Sequence, residues 1–298
     1  MSTQSLTRPG APAGPGAPAR APRLSALRLV ARRLAALRPG VVLSALVLLT
    51  ALAWALLPGV FTAQSPTASV GASLQAPSAE FWFGTDATGR DVFARVVHGA
   101  SHSITAAVVA VAVGLVVGTT LGVIAGSVGG FVEEALMRLV DVLLAIPGLL
   151  LSLSVVILLG FGTTNAAIAV GITSIATFAR LSRSRVISVR RSEYVEAAFG
   201  SGGTLPAILW RHILPNSAAP VIALAALQLG SAILQISTLG FLGYGAPPPT
   251  PEWGLLIAEG RDYVATAWWL TLLPGLVVAA VVLATNRLSS AIGQGESA

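Results

Sequence analysis

Long apolar runs separated by short polar breaks dominate the chain. Six runs approach the length of a membrane-crossing helix: Val41 to Leu57, Ile104 to Ile124, Val142 to Leu159, Ala166 to Ala179, Ser217 to Leu242 and Trp268 to Thr285. A helix needs about 20 apolar residues to cross roughly 30 Å of hydrocarbon. The fourth run is the shortest, so hydropathy fixes its ends least. A closed barrel is the other structure that satisfies its backbone in lipid, but it shows short alternating segments rather than continuous runs. The pattern therefore predicts an all-α membrane protein with six transmembrane helices.

Composition agrees, since 54% of the 298 residues are apolar and 10% charged, which excludes an ordinary soluble domain. All 18 basic residues are arginine. With the N-terminus inside, the inner face receives Arg8, Arg20, Arg23, Arg28, Arg32, Arg33 and Arg38, then Arg138, Arg180, Arg183, Arg185, Arg190, Arg191, Arg211 and Arg287. Only Arg90, Arg95 and Arg261 fall outside. The excess of positive charge on the inner loops predicts a cytoplasmic N-terminus and C-terminus. The basic balance thus reports topology, and no nucleic-acid partner is expected.

The predicted organisation is a basic cytoplasmic tail over 1–39, a first transmembrane helix over 40–60, an extracytoplasmic segment over 61–103 and a core over 104–292 with a cytoplasmic loop at 180–216. Met1 to Pro22 is rich in Pro, Ala, Gly and Ser, so disorder is expected there. Arg32-Arg33 before an apolar run resembles a twin-arginine signal, but the run is long enough to span and is read as a retained helix. The chain contains no cysteine, which excludes disulfide and thiol chemistry.

Four features between the runs carry expectations. At the end of the external segment Asp91 favours a helix start, and Val92, Phe93, Val96 and Val97 predict an amphipathic helix along the membrane surface. Ala106, Ala110, Gly114, Gly118, Gly122 and Gly126 recur every fourth residue, a ridge that lets another helix approach closely. Pro147 predicts a kink in the third span, and Asp141 near its start is within reach of water or Arg138. Outside, GYGAPPPTPEWGLLIAEGRDY from Gly243 predicts an extended path followed by a short helix dipping toward the membrane, with Glu252, Glu259, Arg261 and Asp262 on a solvated or partner-facing surface.

The 180–216 loop holds the strongest candidate for function. Ser192 is placed to cap a helix through Ala198, with Glu193 in its first turn. Gly200, Gly202 and Gly203 then break it, and Thr204 and Pro206 start a second helix that Pro215 ends. A plain connector would be shorter and more polar, so the loop reads as a docking element.

The spacing E-A-A-x-x-x-G, followed by L-P, resembles the signature loop of permease subunits in bacterial ABC importers; Glu196, Ala197, Ala198, Gly202, Leu214 and Pro215 carry the match. His212 stands where that family usually has isoleucine, and the RHILPN ending resembles the dipeptide, oligopeptide and nickel branch. So do FGTDATGRDVFARVVHGA, MRLVDVLLAIPGLLL and FLGYGAPPPTPEWGLLIAEGRD, so that nearly everything after Phe83 is covered. FGSGG departs from the bulkier helix formers usual before the loop glycine, leaving the first docking helix's length open.

The resemblance implies a type I importer permease fold and an assembly of this chain, set in a lipid bilayer, with a second homologous permease subunit, two cytoplasmic ATPase subunits and an extracytoplasmic substrate-binding protein. It implies ATPase coupling through Glu193, Tyr194, Glu196, Ala197, Ala198, Gly202, Leu214 and Pro215. No cofactor is expected in this chain, with ATP and Mg bound by the partner ATPases. The residues agree independently: a phosphate-binding P-loop needs a lysine, and the chain has none. No G-x-S-x-G elbow, H-E-x-x-H helix or pair of intramembrane aspartates supports an intramembrane enzyme. An ion-coupled carrier usually shows inverted repeats, and none is evident; the importer-like external loops weigh against an exporter. The branch points to short peptides as cargo, with nickel complexes as the alternative, while His98 and His102 alone are a weak metal signal.

Overall fold

A computed structural model describes residues 39–295. The basic tail, its expected disorder and the arginine pair lie outside the described residues. Among those described, the elements are helical, with one isolated bridge between Thr85 and Asp91. They are α1 (Pro39–Leu56), α2 (Pro58–Phe61), α3 (Val92–Val128), α4 (Gly130–Ala145), α5 (Gly148–Leu159), α6 (Thr163–Arg190), α7 (Glu193–Gly200), α8 (Leu205–Ile208), α9 (Leu214–Phe241), α10 (Trp253–Gly260) and α11 (Trp269–Gly295). A π-helical turn, Leu209–Ile213, joins α8 to α9. Five continuous stretches are long and apolar enough to cross a membrane, and α4 with α5 forms a bent pair that passes the same test together.

The fold is organised around α3 and α6, which the small-residue ridge brings together. Gly114 lies against Ser174, Gly118 against Phe178, Gly122 against Ser182 and Gly126 against Val186. A methyl added at Gly118 would fall on the Ile175 carbonyl, and one at Gly122 on that of Ala179. Close approach maximises the dispersion contacts that hold helices together in lipid, where no hydrophobic driving force separates them from the solvent. Residue numbers rise together along both helices at a constant offset, so α3 and α6 run parallel. The chain between them must return along their full length, and α4 and α5 carry it.

That return is bent by 97°. Ile146 takes an extended conformation at φ −90 and ψ 129, because the ring of Pro147 disfavours helical geometry in the residue before it. The predicted third span, Val142 to Leu159, thus starts inside α4 and is broken rather than merely kinked. Arg138 pairs with Glu134, and Asp141 pairs instead with Arg180 on α6, Nη2 to Oδ1 at 2.6 Å.

The expected surface helix before the second span is instead the start of α3 itself. Asp91 caps it by accepting from the amides of Phe93 at 3.0 Å and Ala94 at 3.3 Å. Val92, Val96 and Val97 are buried, and the boundary drawn at residue 104 falls inside a continuous helix. Phe93 packs among Trp54, Trp82 and Phe83, tying α1 and the segment that precedes α3 to it. Helices α9 and α11 pack side by side and complete the core with α3 and α6.

Candidate functional site

Helix α7 turns away from the end of α6 and is fastened back onto it by a separate small core. Val195 on α7, Ile208 on α8, Ile213 in the π turn and Val186 on α6 are buried together, with Phe199 and Leu209 packed against them. Because Val195 and Ala198 turn toward that core, the remaining side of the helix is free: Glu193, Tyr194, Glu196 and Ala197 are exposed and Ala198 is half-buried. The helix extends two residues beyond the expected end at Ala198. Ser192 sits at its cap position, but its hydroxyl donates to the Val189 carbonyl at 2.5 Å instead of capping.

The turn after α7 uses two glycines for different reasons. Gly202 adopts φ +86, the left-handed region where a Cβ is strained, and otherwise faces open space. Gly203 has no such backbone demand, but a Cβ there would meet the Ala198 carbonyl at 2.8 Å and the Ile208 side chain at 2.9 Å. Together they fold α8 back beside α7.

Pro215 does not end the second helix as the sequence predicts. Leu205 to Phe241 forms one continuous apolar stretch. The π turn makes this possible: the Leu214 amide donates five residues back to the Leu209 carbonyl, and the proline ring follows at the start of α9. Side chains then serve nearby carbonyls, with Asn216 Nδ2 donating to His212 at 2.6 Å and the Ser217 hydroxyl donating to Ile213. Proline tolerated in this way is characteristic of membrane helices, where neighbouring groups satisfy the freed backbone. Leu214 is half-buried and Pro215 exposed, so both belong to the root of α9 rather than to the exposed face of α7.

Residues 118–296 match the family described as the binding-protein-dependent transport system inner membrane component. The chain belongs to that family. Among its relatives, this permease is 39% identical over 219 residues to the dipeptide transport system permease protein DppC of Alkalihalophilus pseudofirmus, covering 74% of this chain and 72% of that one. It is 40% identical over 219 residues to the di/tripeptide transport system permease protein DppC of Pseudomonas aeruginosa, with the same coverage of 74% and 72%. To the glutathione transport system permease protein GsiD of Shigella flexneri it is 43% identical over 216 residues, covering 72% and 71%. The inward-facing MetNI methionine ABC transporter shares its fold at a TM-score of 0.52 and 16% identity, covering 66% of this chain and 96% of that one. This chain is thus a permease subunit of an ABC importer, a membrane component with a transport rather than a catalytic role.

The permease's opposite end carries a second constellation. Arg95, 1% exposed, donates through Nη1 to Asp86 Oδ2 at 2.8 Å and to Glu259 Oε2 at 2.6 Å. Arg90 Nε meets the same Asp86 oxygen at 2.6 Å. Burial pushes the Asp86 carboxyl up, but amide hydrogen bonds from Arg90 and Thr88, the Thr88 hydroxyl and the Arg90 charge outweigh it and hold it below its ordinary range. These ions fasten the segment before α3 to α10.

Glu252 does not lie on a solvated face as expected. It is fully buried at the start of α10, where it accepts from the amides of Gly254 at 2.9 Å and Leu255 at 3.1 Å. Burial raises its carboxyl to about 7, against the lowering effect of those amides and of Ser103. Trp253 beside it is buried, with Nε1 donating to the Val96 carbonyl at 3.0 Å. Only Arg261 and Asp262 of the expected external charges are largely exposed. His98 Nδ1 lies 2.9 Å from the Ala94 carbonyl one turn earlier, and His102 is exposed.

Proposed function

We propose that this permease forms half of the pathway of an ATP-driven importer for short peptides and is coupled to a cytoplasmic ATPase through the exposed face of α7. The observation that carries this reading is the combination of an outward face bearing Glu193, Tyr194, Glu196 and Ala197 with an inward face locked onto α6 and the root of α9. A helix fastened in this way moves as a unit with two spans, which is what a lever requires. ATP and Mg belong to the partner subunits, and an external binding protein delivers cargo.

The parallel α3–α6 pair supports six spans with α4–α5 counted as one, and the arginine distribution supports both termini inside. A second homologous permease supplies the other half of the pathway. The broad exposure of α4 and α5, including Leu139, Val142, Leu150 and Leu158, supports a neighbouring surface of lipid or protein there.

Peptide cargo follows from the names of the relatives, whose systems are described for dipeptides, di/tripeptides and glutathione. Uptake of a labelled dipeptide by a strain lacking this chain, with and without the gene restored, tests it. Restored peptide uptake with unchanged nickel uptake is expected; restored nickel uptake alone would establish the alternative cargo.

A further inference from the structure

Hydroxyls within the apolar helices commonly satisfy themselves on the carbonyl one turn back, as Ser44 does on Gly40, Thr120 on Val116 and Ser154 on Leu150. One face of α9 departs from this. Gln228, Ser231, Gln235 and Thr238 follow one another at the spacing of a single helix side, and all are half-buried. Thr238 bonds the Leu234 carbonyl at 2.8 Å, whereas the other three hold no side-chain hydrogen bond among the described residues. They lie well inside the apolar run Ser217 to Leu242, with Gln228 about 16 Å of helix from its start and Gln235 about 10 Å from its end. A primary amide without a partner in hydrocarbon is strongly disfavoured, so this face meets water or polar groups. A second observation meets the first at Gln235. Its Oε1 lies 3.8 Å from where a Cβ on Gly148 would stand, so it faces the break between α4 and α5. There Ile146 is 39% exposed, Pro147 and Gly148 are exposed, and no side chain caps α5. With α4 and α5 counted as one crossing, this is irregular backbone at membrane depth, which lipid does not tolerate and an aqueous cavity does. Helices α5 and α9 both pack against α6, so amides and bare backbone meet on one surface of the bundle. Leu227 and Leu234 stand out beside them, 42% and 53% exposed, and offer apolar contact to an abutting subunit while the amides stay recessed.

We propose that Gln228, Ser231 and Gln235 line the translocation pathway and hydrogen-bond the peptide groups of passing cargo. This rests on the reading of the chain as half of a peptide pathway and adds the residues that touch the cargo. A glutamine amide carries a carbonyl acceptor and an N–H donor, the same pair that a peptide unit carries. It therefore engages the backbone of a short peptide whatever its side chains. The two glutamines are about 10 Å apart along the helix axis, the length of an extended tripeptide. The stripe bears no charge, so it leaves the charged termini of the cargo unheld, and contacts of this strength guide a substrate without trapping it.

The test uses single-cysteine variants of the full chain, which has no cysteine of its own, in permeabilised spheroplasts carrying the assembled transporter. A cationic methanethiosulfonate reacts with thiolate, which forms in water and not in hydrocarbon. Gln228→Cys and Gln235→Cys should react at least about tenfold faster than Leu49→Cys on the exposed face of α1. Rates equal to that of Leu49→Cys would place the stripe against lipid or the second permease and overturn the pathway assignment, and this arm needs no cargo. Uptake of a labelled dipeptide is then compared at equal amounts of inserted chain. Gln235→Leu should lower the maximal rate about tenfold, and Gln235→Asn, which keeps an amide, should retain most of it. Uptake by Gln235→Leu equal to the parent's, or an equal loss in Gln235→Asn, would overturn the contact with cargo. A parent chain that restores no dipeptide uptake would remove the peptide reading itself and this contact with it, an outcome distinct from any difference between parent and variant.

Discussion

Glu252 shows how a single carboxyl acquires a role opposite to its polarity. It caps α10 from inside the protein, where two amides offset part of the cost of removing it from water. Its folded value of about 7 lies above the ordinary 4.5, so the folded protein holds this proton more tightly than the unfolded chain does. The associated stability is fully present below about 4.5 and is lost as pH rises through about 7. Thermal unfolding of detergent-solubilised protein should show Glu252→Gln gaining stability over the parent as pH rises from 5 to 8, because the amide retains a cap acceptor without a charge to bury. An unchanged difference across that interval would contradict the protonation account. Asp86 has the opposite sign: its contribution is present above its ordinary 3.8 and lost as pH falls further. Glycine at 202 and at 203 was legible in sequence only as a break. The structure separates a backbone demand at the first from a close approach at the second, since one depends on φ and the other on what lies opposite.

At the scale of elements, α7 and its turn form a small folded unit with its own core rather than a flexible loop. Replacing Gly202 with Val forces a β-branched residue into the left-handed region, at a cost of about 1–2 kcal/mol or more. Glu196→Lys leaves the core untouched and reverses charge on the free face. Both variants should insert normally, lose at least about tenfold in peptide transport and recover less ATPase on pull-down; normal transport by both would remove α7 from the coupling role. The glycine signals marked the breaks of this unit in the sequence, whereas neither Ser192 nor Thr204 makes the side-chain cap expected of it. Its anchors were missed. Val195, Ile208 and Ile213 look like ordinary apolar residues until the chain folds back on itself, although the isolated valine within EYVEAAF was an available signal. The continuous passage through Pro215 was likewise invisible, because it depends on a π turn and on the side chains of Asn216 and Ser217.

The whole molecule is set by one pairing, the parallel contact of α3 with α6, and by the broken return between them. The natural absence of cysteine makes this topology directly measurable. With the proposed orientation, Ser65→Cys in the segment before α3 should react with a membrane-impermeant maleimide in intact spheroplasts, and Ser201→Cys beside α7 only after permeabilisation. Labelling of Ser201→Cys from outside would invert the orientation and with it the docking assignment. The sequence by itself determined that the chain is helical and membrane-bound, and roughly where it crosses, because lipid imposes length and apolarity on each span locally. It also marked the ridge of small residues and the breaks around the segment proposed for coupling, both written as short-range patterns. Only the tertiary structure decided which helix the ridge meets, that Glu252 is buried and that Arg95 joins Asp86 to Glu259. Those features arise from residues far apart in the chain, and no local pattern records which distant surface a side chain will face.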